Sequence, residues 1–176
     1  MIEVPNGDLR ASRVVADAAT PLADALDRQL TGYVVLRPAE PIATDDGAGV
    51  VTMEDGVPVV AYHDGTDRGG PAALGPLAGP GPYRAELYAT DAAALEPLHR
   101  AEELRVDPGA PAEQVADAPE LAARARERAP ADRESPETDP VEAFLDDEER
   151  VEAIKERARA EAERRASEWG FDEVVE

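Results

Sequence analysis

The stretch "GVVTMEDGVPVVAYH", residues 49–63, restricts the possible folds more than any other. Two runs rich in β-branched residues, 50–53 and 57–63, flank Glu54-Asp55-Gly56. Such side chains fit a pleated surface, and Gly56 can take the left-handed backbone position that a tight reversal needs. The segment therefore predicts a hairpin with a three-residue turn. Pro58 has no backbone donor, so its amide position should face away from the ladder or lie at an edge.

Further elements follow from the same logic. Residues 11–19 read as a short strand or turn. Thr20 as N-cap, Pro21 at the first helical position and Asp24 in the first turn predict a helix over 20–30, with Leu22, Leu26 and Leu30 facing a core. "TGYVVLRP" (31–38) predicts a strand that Pro38 ends, and 39–49 reads as a loop. Residues 65–79 read as a turn and a short helix opening at Pro71. "YRAELYAT" (83–90) alternates, placing Tyr83, Ala85, Leu87 and Ala89 on one face. A helix should start at Asp91 and be interrupted at Pro97.

Beyond residue 100 the character changes. Residues 1–100 carry 7 basic and 15 acidic groups, whereas 101–176 carry 11 and 24, and only Gly109 and Gly170 lie in the second part. The six prolines within 105–140 mark a connector holding one possible helix, 119–129. Within it, 130–140 is too poor in apolar groups to order itself. Residues 140–171 predict a long amphipathic helix, with Asp139 as cap, Pro140 at its start and Gly170 past its end. Acid-before-base pairs at Asp146–Arg150 and Glu161–Arg165 add support. The expected fold is thus α+β. A small antiparallel-sheet domain with short helices (1–104) is followed by a proline-rich acidic connector (105–139), a long C-terminal α-helix (140–171) and an acidic tail (172–176).

The net charge is −21, from 39 acidic and 18 basic residues, and Lys155 is the sole lysine. One reading is a disordered or nucleic-acid-mimicking chain. The favoured one is a protein of the cytoplasm of an extreme halophile. At molar salt the Debye length falls to about 3 Å, so dense carboxylates repel little, and arginine far outnumbers lysine. No basic stripe offers a phosphate-backbone site, so direct nucleic-acid binding is not expected. With no cysteine, neither disulfides nor thiolate metal sites can form. The N-terminal residues lack the apolar core of a signal peptide, and no window approaches about 18 apolar residues. A soluble, cytoplasmic protein is expected.

The order of helix, Thr31-Gly32 strand and hairpin carries a family resemblance. Gly49, Val51 and Met53 lead to Asp55-Gly56; Val57, Val59 and Ala61 continue; Ala72, Ala73 and Leu74 follow. Over roughly residues 20–90 this resembles the PATAN domain, a small α/β module of bacterial and archaeal signalling proteins. The resemblance implies a non-catalytic interaction or regulatory module.

Candidate chemistry centres on His63-Asp64. A carboxylate can orient a histidine base, with Asp67 as a second acid, and Gly65, Gly69 and Gly70 before Pro71 could offer amides to an anion. No Gly-Lys-Ser/Thr follows, so this is not a phosphate-binding P-loop. The plainer reading, a polar turn closing a strand, is favoured. His63 and His99 are far apart in sequence, and Asp45-Asp46-Gly47 lacks the spaced acidic residues of a calcium loop, so neither metal nor cofactor is expected. Tyr33, Tyr62, Tyr83 and Tyr88 are better explained as packing than as a base-stacking platform. The strongest interaction candidate is the stripe of Phe144, Leu145, Val151, Ile154, Ala158, Ala162 and Trp169 on the C-terminal helix. It would pair with a protein partner, self-associate or dock on its own domain. Its polar face has no cation excess, so it does not suggest a membrane surface. The leading reading is a non-enzymatic adaptor or regulatory module. The runner-up is a small-ligand or hydrolytic site at the 63–71 turn, which would require His63, Asp64 and Asp67 to converge.

Overall fold

Six strands form one antiparallel sheet in the computed structural model, which describes residues 2–39, 47–79 and 81–131. The strands are β1 (Asp8–Val15), β2 (Gly32–Pro38), β3 (Gly49–Glu54), β4 (Val57–His63), β5 (Arg68–Gly69) and β6 (Tyr83–Ala89), in the spatial order β1-β6-β2-β3-β4-β5. Four helices accompany them: α1 (Ala19–Asp27), α2 (Ala92–His99), α3 (Ala110–Gln114) and α4 (Pro119–Arg128). Short 3₁₀ turns span Gly70–Ala73, Gly75–Leu77 and Glu102–Leu104. The α+β expectation holds for these residues. The expected C-terminal helix, its tail and the 132–139 part of the connector lie outside the described residues.

α1 starts one residue earlier than its sequence suggests, and its cap differs. Asp17 Oδ1 accepts the Thr20 amide at 2.9 Å and the Thr20 hydroxyl at 3.0 Å, so Asp17 rather than Thr20 satisfies the helix start. At the other end Gln29 is left-handed (φ 51°), the Leu30 amide bonds to Ala25 O at 2.9 Å and the Gln29 amide to Leu26 O at 3.2 Å. This is a Schellman closure built on a residue other than glycine. Leu22, Leu26 and Leu30 are buried, as their spacing predicts.

The β3–β4 hairpin closes through two residues, not three. Glu54 pairs with Val57, while Asp55 (φ 50°) and Gly56 (φ 83°) are both left-handed, the arrangement whose twist matches the flanking strands. A Cβ on Gly56 would also come within 2.7 Å of Ala25 O, because the hairpin tip rests on the end of α1. Further along, Thr52 alone occupies the register between Val51–Ala61 and Met53–Pro58, opposite both Val59 and Val60. Pro58 is accommodated beside this bulge.

One face of the sheet carries the main core, a single cluster that includes Leu26 of α1 with Val34, Met53, Ala85 and Leu87 of the strands. Tyr83, Ala85 and Leu87 point into it, as their alternation predicts. The other face holds two smaller clusters. One contains Tyr33, Val35 and Ala48; the other contains Val59, Val60 and Leu104.

The folded unit does not stop at residue 104. Val106, Val115, Leu121 and Ala122 belong to the main core cluster, and the Val106 amide bonds to Val59 O at 3.0 Å along the outer side of β4. Residues 105–131 are therefore part of the domain. Two of the prolines that suggested a connector instead occupy helix starts, Pro111 in α3 and Pro119 in α4, where a missing amide costs nothing. Arg126 ties the two helices together: it donates to Asp107 Oδ1 at 2.7 Å and grips Glu113 with two bonds of 3.1 and 2.6 Å. α2 runs through Pro97 to His99 instead of breaking there.

Candidate functional site

His63, Asp64 and Asp67 sit together at the end of β4 but do not act on a common point. His63 is 1% exposed. Its Nδ1 accepts the Thr66 backbone amide at 3.2 Å and lies 3.0 Å from the Thr66 hydroxyl. That acceptor role places the neutral ring's proton on Nε2. Gly47 and Gly65 pack on the ring: a Cβ at Gly47 would stand 2.4 Å from His63 Cε1, and one at Gly65 3.1 Å.

Asp64 turns the other way. Its Oδ1 accepts the Ala48 amide at 2.6 Å, and its own amide donates to Ala48 O at 3.0 Å. This reciprocal pair clamps the end of the 39–49 loop to the end of β4. Asp67 accepts the Tyr62 hydroxyl, and that bond, before burial, raises the Tyr62 phenol above its usual value. The three polar groups thus serve three different backbone or side-chain partners. None of them lines either of two concavities formed by described residues. One, of about 660 Å³, lies between the starts of α1 and α4; the other, of about 340 Å³, lies beside Asn6, Arg10 and Asp91.

A second polar seam was not expected. The buried Thr52 hydroxyl accepts the Val60 amide at 3.3 Å and lies 2.9 Å from His99 Nε2, while His99 Nδ1 is 3.7 Å from Glu54 Oε2. The order hydroxyl, imidazole, carboxylate looks like a catalytic relay. However, Thr52 is 1% exposed and lies within the sheet, so no substrate carbonyl can reach its oxygen. Its role follows from the bulge: the displaced Val60 amide loses a ladder acceptor, and Thr52 Oγ1 replaces it. His99 then moors α2, whose one fully buried side chain is Leu95.

The tyrosines are dispersed. Tyr33 and Tyr88 stack at 4.9 Å on one face. Tyr83 is in the core on the opposite face and donates to Leu77 O and Gly79 O, both at 2.8 Å. Burial raises the phenol pKa of Tyr33, Tyr83 and Tyr88, as expected for packing groups. Among the described residues no group of three or more His, Asp or Glu is placed to hold a metal ion, and no helix is long and apolar enough to cross a membrane. Phe144, Leu145, Val151, Ile154, Ala158, Ala162 and Trp169 lie outside the described residues.

Residues 3–171 match the family described as a domain of unknown function (DUF8572), and the chain belongs to that family. No match is found among curated proteins or among solved structures.

Proposed function

We propose that this DUF8572 chain is a non-enzymatic adaptor or regulatory module that acts through protein–protein contacts in the cytoplasm of a halophilic archaeon. The observation that carries the reading is the divergence of His63, Asp64 and Asp67. Each is occupied by a different neighbour, His63 by the Thr66 amide, Asp64 by the Ala48 amide and Asp67 by the Tyr62 hydroxyl, leaving no base and acid aimed at one reacting atom. The sequence of α1, β2, the β3–β4 hairpin, the 3₁₀ turn at Gly70 and β6 supports a PATAN-like relation, which points to the same class of role. The charge of −21 and the single lysine support a high-salt setting. The C-terminal stripe around Val151, Ile154 and Trp169 is the partner-binding element in this reading. A test uses the Asp64→Asn/Asp67→Asn variant. It should bind the cellular partner as the wild type does once both are folded at molar KCl. A metabolite that binds the wild type, with a marked loss of affinity in this variant, would establish the ligand-site alternative instead.

A further inference from the structure

β1 forms one end of the sheet, and among the described residues no strand pairs with its outer edge. An open edge presents a row of backbone donors and acceptors able to accept another strand. The two large apolar side chains most exposed among the described residues, Leu9 at 54% and Val14 at 60%, both belong to β1. The register sets Leu9 opposite Tyr88, Ser12 opposite Glu86 and Val14 opposite Arg84. Leu9, Ser12 and Val14 therefore share one face, the face of the Tyr33–Tyr88 stack. Protection of this edge is partial, limited to a bulge between Leu9 and Ala11 and to charged side chains.

Those charges are of unusual sign for this chain. β1, β6 and β2 carry four arginines, 10, 13, 37 and 84, against Asp8 and Glu86, in a molecule of net charge −21. Arg13 is held by Asp24 at 2.8 Å and Arg37 lies 3.6 Å from Glu86. Arg84 is exposed and forms no ion pair among the described residues, and Arg10 reaches only Asp8, at 3.9 Å with both groups in water. This end of the sheet thus combines free backbone groups, two apolar side chains and two weakly neutralised guanidinium groups.

We propose that the outer edge of β1 is the docking site for an extended acidic strand of a protein partner, whose apolar residues cover Leu9 and Val14 while its carboxylates meet Arg84 and Arg10. A second copy of β1 is a poorer occupant. Antiparallel pairing in full overlap would set Arg10 of each copy against Arg13 of the other, a like-charge contact. The proposal rests on the interaction-module reading and gives it a partner chemistry.

The test uses the purified full chain at the lowest salt that keeps it folded. The probe is a labelled peptide of roughly ten residues repeating Glu-Glu-Val-Val, which sets both residue types on each face of a strand, with a Lys-Lys-Val-Val repeat as control. The acidic peptide should bind and slow hydrogen exchange of the 8–15 amides. Arg84→Glu and Val14→Asp should each weaken it by about tenfold without changing the melting temperature, since both side chains are exposed. Equal binding of both peptides, bound peptide without protection of 8–15, or unchanged affinity in Arg84→Glu overturns the proposal. So does sedimentation showing a dimer of the free chain that Val14→Asp dissolves, which assigns the edge to a second copy. If the peptide fails while partner capture persists, the edge assignment alone falls. Catalytic turnover that depends on Asp64 would remove the interaction-module reading and leave the peptide result standing.

Discussion

Replacing His63 by Ala separates a structural histidine from a catalytic one through stability alone. The imidazole is 1% exposed and enclosed by Gly47, Gly65 and the Thr66 turn. Truncating a buried aromatic ring to Ala costs about 3–5 kcal/mol. Imidazole is smaller, and water can take over part of the half-buried Thr66 amide, so about 2–4 kcal/mol is expected, with a melting point lower by roughly 5–15 °C. An exposed turn residue would cost no more than about 0.5 kcal/mol. A histidine kept for chemistry is often neutral or destabilising in place, because active-site groups are held at some cost to stability. Urea unfolding followed by circular dichroism at fixed molar KCl measures the difference. A Gly47→Ala change adds a second arm. Its Cβ would sit 2.4 Å from His63 Cε1 and 2.6 Å from the Gly65 amide nitrogen. Gly47→Ala should therefore cost about 1–3 kcal/mol by overpacking, and less once His63 is Ala, since only the backbone clash then persists. A loss under about 0.5 kcal/mol for His63→Ala, or strict additivity of the two changes, would refute the packing argument.

Three other outcomes follow from the same geometry. Thr52→Val leaves the Val60 amide without its acceptor and should cost about 1–3 kcal/mol in the same unfolding assay, whereas Thr52→Ser, which keeps the oxygen, should recover most of it. Gln29→Gly should raise stability by up to about 1 kcal/mol, because glycine takes the φ of 51° without the side-chain penalty that glutamine bears. Glu113 is held below its usual pKa by the Arg126 hydrogen bonds, so its contribution is full above the ordinary glutamate range and is lost as pH falls through the lowered folded value. Glu113→Gln should thus cost at most about 1 kcal/mol at neutral pH, given its exposure, and flatten that part of the acid-unfolding curve.

Much of the fold was legible where periodicity and turn chemistry agree. The leucine spacing of α1, the β3–β4 hairpin and the alternation of β6 each bury the side chains they should. β1 was ambiguous because most of its side chains, Arg10, Ser12, Arg13 and Val14 among them, are exposed, so no apolar alternation marks it. The stretch 105–131 was misread because Pro111 and Pro119 look like linker punctuation until they are seen opening helices, and because its core contacts are largely alanine and valine. The burial of His63 had a faint signal in Gly47 and Gly65, two residues without side chains that pack on its ring. The Thr52–His99 contact had none: it joins residues 47 apart and depends on the bulge at Thr52.

In the proposed reading the chain holds a partner and does not turn over a substrate. The most direct measurement is quantitative capture from a native high-salt lysate by the full chain, by a chain ending at residue 139, and by Val151→Asp/Ile154→Asp. A reproducible partner is expected that the full chain retains and both altered chains lose, with the melting behaviour of the 2–131 domain unchanged. Capture that is indifferent to both alterations, or a chemical conversion abolished by changes at His63 or Asp64 in a folded protein, would contradict it.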